Sequence, residues 1–130
     1  MKNLETSSLL GKTFIGVKQG DDVLQFYCAE DKCIYEYFHM QDCCEHVYIE
    51  DICGDLQDLV GAPIIQAEEI NNADDPIDVK IENKHPWFGF ESYTWTFYKF
   101  ATIKGSVTVR WIGLSNGYYS ESVDFRKIKM

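Results

Sequence analysis

The sequence predicts a mainly β protein, an antiparallel sheet curled into a barrel or sandwich with one short helix. Three observations carry this reading. Short runs alternate apolar and polar residues with a period of two. Gly, Asn and Asp clusters break these runs at short intervals. The runs in the C-terminal half are rich in Thr and aromatic residues, which suit a pleated, half-buried surface. With 130 residues, of which 45% are hydrophobic and 15% aromatic, the chain has material for one core and reads as a single domain over 1–130.

Lys12 to Lys18 reads as a first strand, closed by the turn Gly20-Asp21-Asp22. Val23 to Ala29 and Cys33 to Phe38 then form a hairpin across Glu30-Asp31-Lys32. Glu45 to Ile52 alternates, with Val47 and Ile49 on one face, Cys53 a further candidate for that face, and His46, Tyr48 and Glu50 on the other. Asp55 to Gly61 reads as the short helix, capped by Asp55 and ended by Gly61. Pro63 to Ile70 reads as a strand with Pro tolerated at its start. Asn71 to Lys84 is polar and acidic and reads as a surface loop. Tyr93 to Ile103, Ser106 to Ile112 and Tyr118 to Phe125 are expected to form a meander, turning at Lys104-Gly105 and Ser115-Asn116-Gly117.

The formal net charge is −9, and it is unevenly placed. Asp42, Glu45, Glu50, Asp51, Asp55, Asp58, Glu68, Glu69, Asp74, Asp75, Asp78 and Glu82 face only Lys80 in the middle of the chain. From Lys99 onward the balance reverses, with Lys99, Lys104, Arg110, Arg126, Lys127 and Lys129 against Glu121 and Asp124. Direct nucleic-acid binding needs a basic footprint, so it is not expected. An acidic stretch of this density suits a basic protein surface, with Asp74, Asp75, Asp78, Glu82, Glu68 and Glu69 as candidate contacts, or it serves solubility alone. No apolar run is long enough for a membrane span, and MKNLETSSLLGK lacks the apolar core of a secretory signal. A cytoplasmic location follows as the expectation, in which the five cysteines are thiols or metal ligands.

The densest chemical feature is His39-Met40-Gln41-Asp42-Cys43-Cys44-Glu45-His46, with Cys53 downstream. Zinc takes four ligands from thiolate, imidazole and carboxylate in a tetrahedron. His39, Cys43, Cys44 and Cys53 are therefore candidate ligands of a structural zinc, with Cys28, Cys33, Asp42 or Glu45 able to complete the set. Adjacent cysteines point to opposite faces of a regular strand, so the chain must bulge or turn if both hold one ion. The alternative is that these cysteines are small buried hydrophobes. No nucleophile elbow, P-loop, dinucleotide fingerprint or His-Glu-x-x-His helix is present, and no enzymatic activity is expected. Trp95-Thr96-Phe97-Tyr98 reads as core, whereas Tyr118-Tyr119 and His85-Pro86-Trp87 read as candidate contact surfaces.

Asp42-Cys43-Cys44-Glu45, Val47-Tyr48-Ile49-Glu50-Asp51-Ile52, Gly54-Asp55-Leu56, Thr94-Trp95-Thr96-Phe97-Tyr98-Lys99-Phe100 and Ser115-Asn116-Gly117-Tyr118-Tyr119-Ser120-Glu121 resemble a family of small phage and prophage proteins over roughly Lys12 to Phe125. Together with the acidic charge and suspected zinc, they are also similar to the zinc-containing anti-CRISPR proteins of streptococcal phage. The resemblance implies a phage-encoded, non-enzymatic inhibitor of host defence acting in the host cell cytoplasm. Its implied partner is the type II RNA-guided nuclease, whose loading with target DNA it would block. A zinc-dependent phage accessory enzyme acting on nucleic acid or nucleotide, and a virion or assembly protein binding a basic partner, are the alternatives.

Overall fold

Strands that alternate apolar and polar residues bury one face each, and two such faces close on one another. A computed structural model of the chain describes residues 3–41, 45–72, 92–117 and 120–130 and shows this arrangement. Eight strands are described: β1 Gly16–Gln19, β2 Val23–Cys28, β3 Cys33–Phe38, β4 Glu45–Cys53, β5 Gln66–Asn72, β6 Ser92–Thr102, β7 Gly105–Ser115 and β8 Asp124–Lys129. They form two antiparallel four-stranded sheets in the orders β1-β2-β3-β8 and β4-β7-β6-β5. The architecture is a sandwich and not a closed barrel.

The inner faces meet through aromatic rings. Phe26 on β2 packs against Phe100 on β6 with ring centroids 5.2 Å apart, and Tyr37 on β3 lies 4.5 Å from Tyr98. Phe125 on β8 stacks on Tyr37 at 4.0 Å, nearly parallel. Val47, Ile49, Val107, Val109 and Trp111 extend the same core along the second sheet. The hydroxyls inside it are satisfied: Tyr37 donates to Thr6 Oγ1 at 3.1 Å and Tyr98 to Glu69 Oε1 at 2.7 Å.

The short helix is a single 3-10 turn, Leu56–Leu59, and Asp55 caps it by accepting from the Gln57 amide at 2.9 Å. A second 3-10 turn at Thr6–Leu9, which sequence reading missed, buries Leu9. Pro63 precedes β5 and bridges Thr13, so that strand begins later than Pro63 suggests.

Two expectations are corrected. The last strand does not continue the meander: β8 pairs with β3 in the other sheet, and residues 120–123 are outside any strand. Both edges of β7 are already occupied by β4 and β6, so no ladder position remains beside it. The connection is held by Glu121, which accepts from Thr94 Oγ1 at 2.7 Å and from Ser115 Oγ. The second correction concerns Cys53. A bulge at Glu50 shifts the register between Ile49 and Asp51. The extra residue inverts the alternation, turning Ile52 toward the core and Asp51 and Cys53 outward.

Gly113 sits where the Glu121 backbone crosses β7, and a Cβ there would run into the Glu121 carbonyl oxygen. Gly113→Ala is expected to destabilise the protein by about 1–3 kcal/mol, the usual cost of forced overpacking, in denaturant titration. Burial raises the pKa of Tyr37 and Tyr98 well above the ordinary 10.0. A phenol held neutral in the folded state contributes stability that is present below pH 10.0 and lost as pH rises beyond it. Spectroscopic titration should show these tyrosines ionising only together with alkaline unfolding.

Candidate functional site

Three places bring chemically active side chains together. The first is at the start of β4. His39 follows β3 directly and is buried, with 8% of its surface exposed. Its Nδ1 lies 2.8 Å from the Ser122 carbonyl, which can only accept, so Nδ1 carries the proton. Its Nε2 lies 3.1 Å from Glu45 Oε1, and Glu45 is also buried. An imidazole fixed through Nδ1 by a backbone carbonyl, with Nε2 turned toward a second donor, is how metal-binding histidines are oriented. Two zinc ligands at bonds of about 2.0–2.2 Å stand roughly 3.4 Å apart in a tetrahedron, close to the His39–Glu45 separation. The contact is a buried histidine–carboxylate hydrogen bond, and its length is also compatible with two ligands of one ion.

Cys43 and Cys44, expected beside this pair, lie outside the described residues. Among the described residues no group of three ligating side chains converges. Cys53 is not brought to His39. Strand β4 has 9 residues, so Cys53 stands roughly 25 Å along it from Glu45, at the opposite end and on the outer face.

The second place is the outer face of the β4-β7-β6-β5 sheet. Tyr48, Trp95, Ile112 and Leu114 form a buried apolar cluster there, with Tyr93 and Phe97 packed against it. This explains the near-continuous apolar run of β7 from Trp111 to Leu114, since both faces of that stretch are covered. Beside the cluster, Asp51, Cys53, Phe97, Lys99, Thr108 and Arg110 line a groove of about 400 Å³. Arg110 donates through Nε to Glu50 Oε2 at 2.7 Å and lies 5.0 Å from the Trp95 ring centroid. The alternation of β6 and β7 carried a signal for these residues, but only the ladder shows that they adjoin.

The acidic candidates divide. Glu68 and Glu69 are exposed on β5, an edge strand, where Glu68 stands opposite Lys99 and Glu69 opposite Tyr98. Asp74, Asp75, Asp78 and Glu82 lie outside the described residues, as do Trp87, Tyr118 and Tyr119.

The third place is the β2–β3 turn, which the sequence showed as a hairpin flanked by Cys28 and Cys33 but without the charge cluster at Asp31. The Asp31 carboxylate accepts from Tyr35 and has Lys12 Nζ at 3.6 Å and Lys127 Nζ at 3.7 Å. Burial works against its charge, but hydrogen bonds from Tyr35, Cys28 and the Cys33 amide, with Lys12 nearby, outweigh this and hold its pKa below the ordinary value. Burial, followed by the bond to Asp31, pushes Tyr35 up to about 12.

The profile of a family described as a domain of unknown function (DUF7448) matches residues 7–125. The chain belongs to that family. No curated protein and no solved structure matches it. The DUF7448 match takes in His39, Glu45, the groove and the β2–β3 turn alike. No helix among the described residues is long and apolar enough to cross a membrane.

The depressed pKa of Asp31 sets a sign. Its contribution to stability is present above the unfolded-state value near 3.8 and is lost as pH falls through the lower folded-state value. Asp31→Asn is expected to lower the Tm by a few degrees at neutral pH. The gap from the unmodified protein should shrink in calorimetry as the pH is taken well below 3.8.

Proposed function

We propose that this DUF7448 protein is a non-enzymatic inhibitor of host defence that occupies a basic surface on a host protein. The finer reading is an anti-CRISPR protein of phage origin, acting in the host cytoplasm on the type II RNA-guided nuclease and blocking its loading with target DNA. The observation that carries the proposal is where the cations go. Arg110 is spent on Glu50, Arg126 on Glu36, Lys12 and Lys127 on Asp31, and Lys104 donates to the Val60 carbonyl. Exposed Asp51, Asp55 and Glu69 have no ion pair among the described residues. The edge strand bearing Glu68 and Glu69 runs directly into the segment containing Asp74, Asp75, Asp78 and Glu82. A channel that holds guide and target strands is positively charged, and uncompensated acid suits such a partner.

Within this reading, His39, Cys43 and Cys44 hold a structural zinc, with Glu45 as the fourth donor that the His39 geometry favours. About one zinc per chain is expected in elemental analysis of protein purified without metal-affinity resin. Chelation or Cys44→Ser should lower the Tm, because metal binding to the native state is folding free energy. Less than a tenth of an equivalent of transition metal would remove the zinc from the proposal and leave the acidic surface standing.

Target cleavage by a purified type II nuclease, with DNA added before or after the protein, tests the function. Inhibition is expected only when the protein precedes the DNA. Replacing Asp74, Asp75 and Asp78 by Lys, or raising salt, should weaken it mainly through slower association. The fold should change by about 0.5 kcal/mol or less in these charge-reversal variants. Absence of inhibition in either order across several nuclease orthologues would end the anti-CRISPR reading. The groove beside Cys53 favours the accessory-enzyme alternative, in which Lys99→Ala would abolish an activity that the charge reversals spare.

A further inference from the structure

The β2–β3 hairpin ends in two thiols whose redox chemistry the proposed function does not use. Cys28 closes β2, Cys33 opens β3, and they are direct ladder partners across the turn 29–32. Partners in an antiparallel ladder stand about 4.5 or 5.5 Å apart at Cα and send their side chains to the same face. Both separations lie inside the window of about 4.4–6.8 Å that a disulfide spans without backbone movement. Both thiols pack on the main core from that face. They differ in access, since Cys28 is 1% exposed whereas Cys33 is only half-buried.

The same turn holds both sulfurs. Cys33 Sγ donates to the Asp31 carbonyl at 3.4 Å, and the Cys28 thiol donates to the Asp31 carboxylate. Lys12 and Lys127 reach that carboxylate, and Lys129 is the ladder partner of Cys33. Two ammonium groups on one carboxylate, with Lys129 on the strand beside Cys33, leave this corner locally cationic on a protein of net charge −9. Small anions are drawn to it. Among the other described cysteines, Cys53 has Thr108 opposite it and no thiol partner.

We propose that Cys28 and Cys33 form a modification site, a dithiol that closes to an intramolecular disulfide by exchange with an anionic small-molecule disulfide of the glutathione class. Cys33, the accessible thiol, loses its proton and attacks one sulfur of the small disulfide. A mixed disulfide forms on Cys33, and the displaced thiolate takes up the proton. Cys28 then loses its proton and attacks Cys33 Sγ, expelling the second small thiolate, which is protonated in turn. The two cysteines give up two electrons, and one small disulfide becomes two thiols. Excess reduced thiol reverses both steps. Closure withdraws both sulfurs from Asp31 and ties the hairpin shut beside the Lys12–Asp31–Lys127 cluster.

The test is incubation of the full chain with glutathione disulfide, alkylation of remaining thiols, and non-reducing peptide mass spectrometry. The expected product is a linked Cys28–Cys33 peptide, with a rise of a few degrees in Tm that reduced glutathione reverses. Cys28→Ser should stop at a stable glutathione adduct on Cys33, and Cys33→Ser should leave Cys28 unmodified. A Cys43→Ser, Cys44→Ser, Cys53→Ser chain should still form the link. If that triple variant does not fold, the linked peptide from the unmodified chain decides. A persistent adduct on Cys33 beside a free Cys28 would overturn the proposal. So would linkage of either to another cysteine, or no reaction of the pair while the denatured chain reacts.

Discussion

Each sheet offers an apolar face to the other, and a seam of aromatic rings joins them. Phe26, Tyr37 and Phe125 from one sheet interlock with Tyr98 and Phe100 from the other. Offset and edge-on ring pairs add roughly 0.5–1.5 kcal/mol each beyond the area they bury, so the seam fixes orientation as well as cohesion. Tyr37 is its centre, touching rings from both sheets while its hydroxyl reaches Thr6. The 3-10 turn at Thr6–Leu9 is thereby fastened to the core, and the chain before β1 joins the fold. Further on, the Leu4 amide donates to the Phe125 carbonyl, so the N-terminal segment also lies along β8.

The position of β7 determines much of the remainder. With β4 on one side and β6 on the other, it forces β8 across to β3, and the chain crosses over at Glu121. The bulge at Glu50 acts on the neighbouring strand. It delivers Asp51 and Cys53 to the outer face, where Lys99, Thr108 and Arg110 already stand, and so creates the groove. A single extra residue thus turns Cys53 away from the core and places it on a different surface.

Charge is organised by the same ladders. On the outer face of the first sheet, Lys18, Gln25, Glu36 and Arg126 occupy one row across all four strands. Gln25 donates to Glu36 at 2.6 Å, and Arg126 donates to it at 2.8 Å. That pairing buries Glu36 to 6% exposure on a face that would otherwise be open. It also removes Arg126 from the pool of cations able to offset acid elsewhere. Among the described residues, exposed Asp51, Asp55 and Glu69 are left without an ion pair.

The period-two patterning by itself determined the β class, the β2–β3 hairpin, the core face of β4 through Ile49 and the Asp55-capped turn. Those are local matters, set by side-chain alternation and turn chemistry within a few residues. Composition likewise fixed the acidic middle and the cationic end. What sequence could not decide was which strand lies beside which. The Asn-Gly turn after Ser115 suggested a hairpin, but the choice between sheets depended on a ladder edge that β4 had already taken. His39 and Cys53 were grouped because both can bind metal, and the length of β4 parted them. Cys28 and Cys33 were read as flanking a turn, and only the register made them partners pointing to one face. Spacing along the chain states what a residue can do. Its neighbours are set by strand pairing, whose energy lies in contacts between residues far apart in sequence.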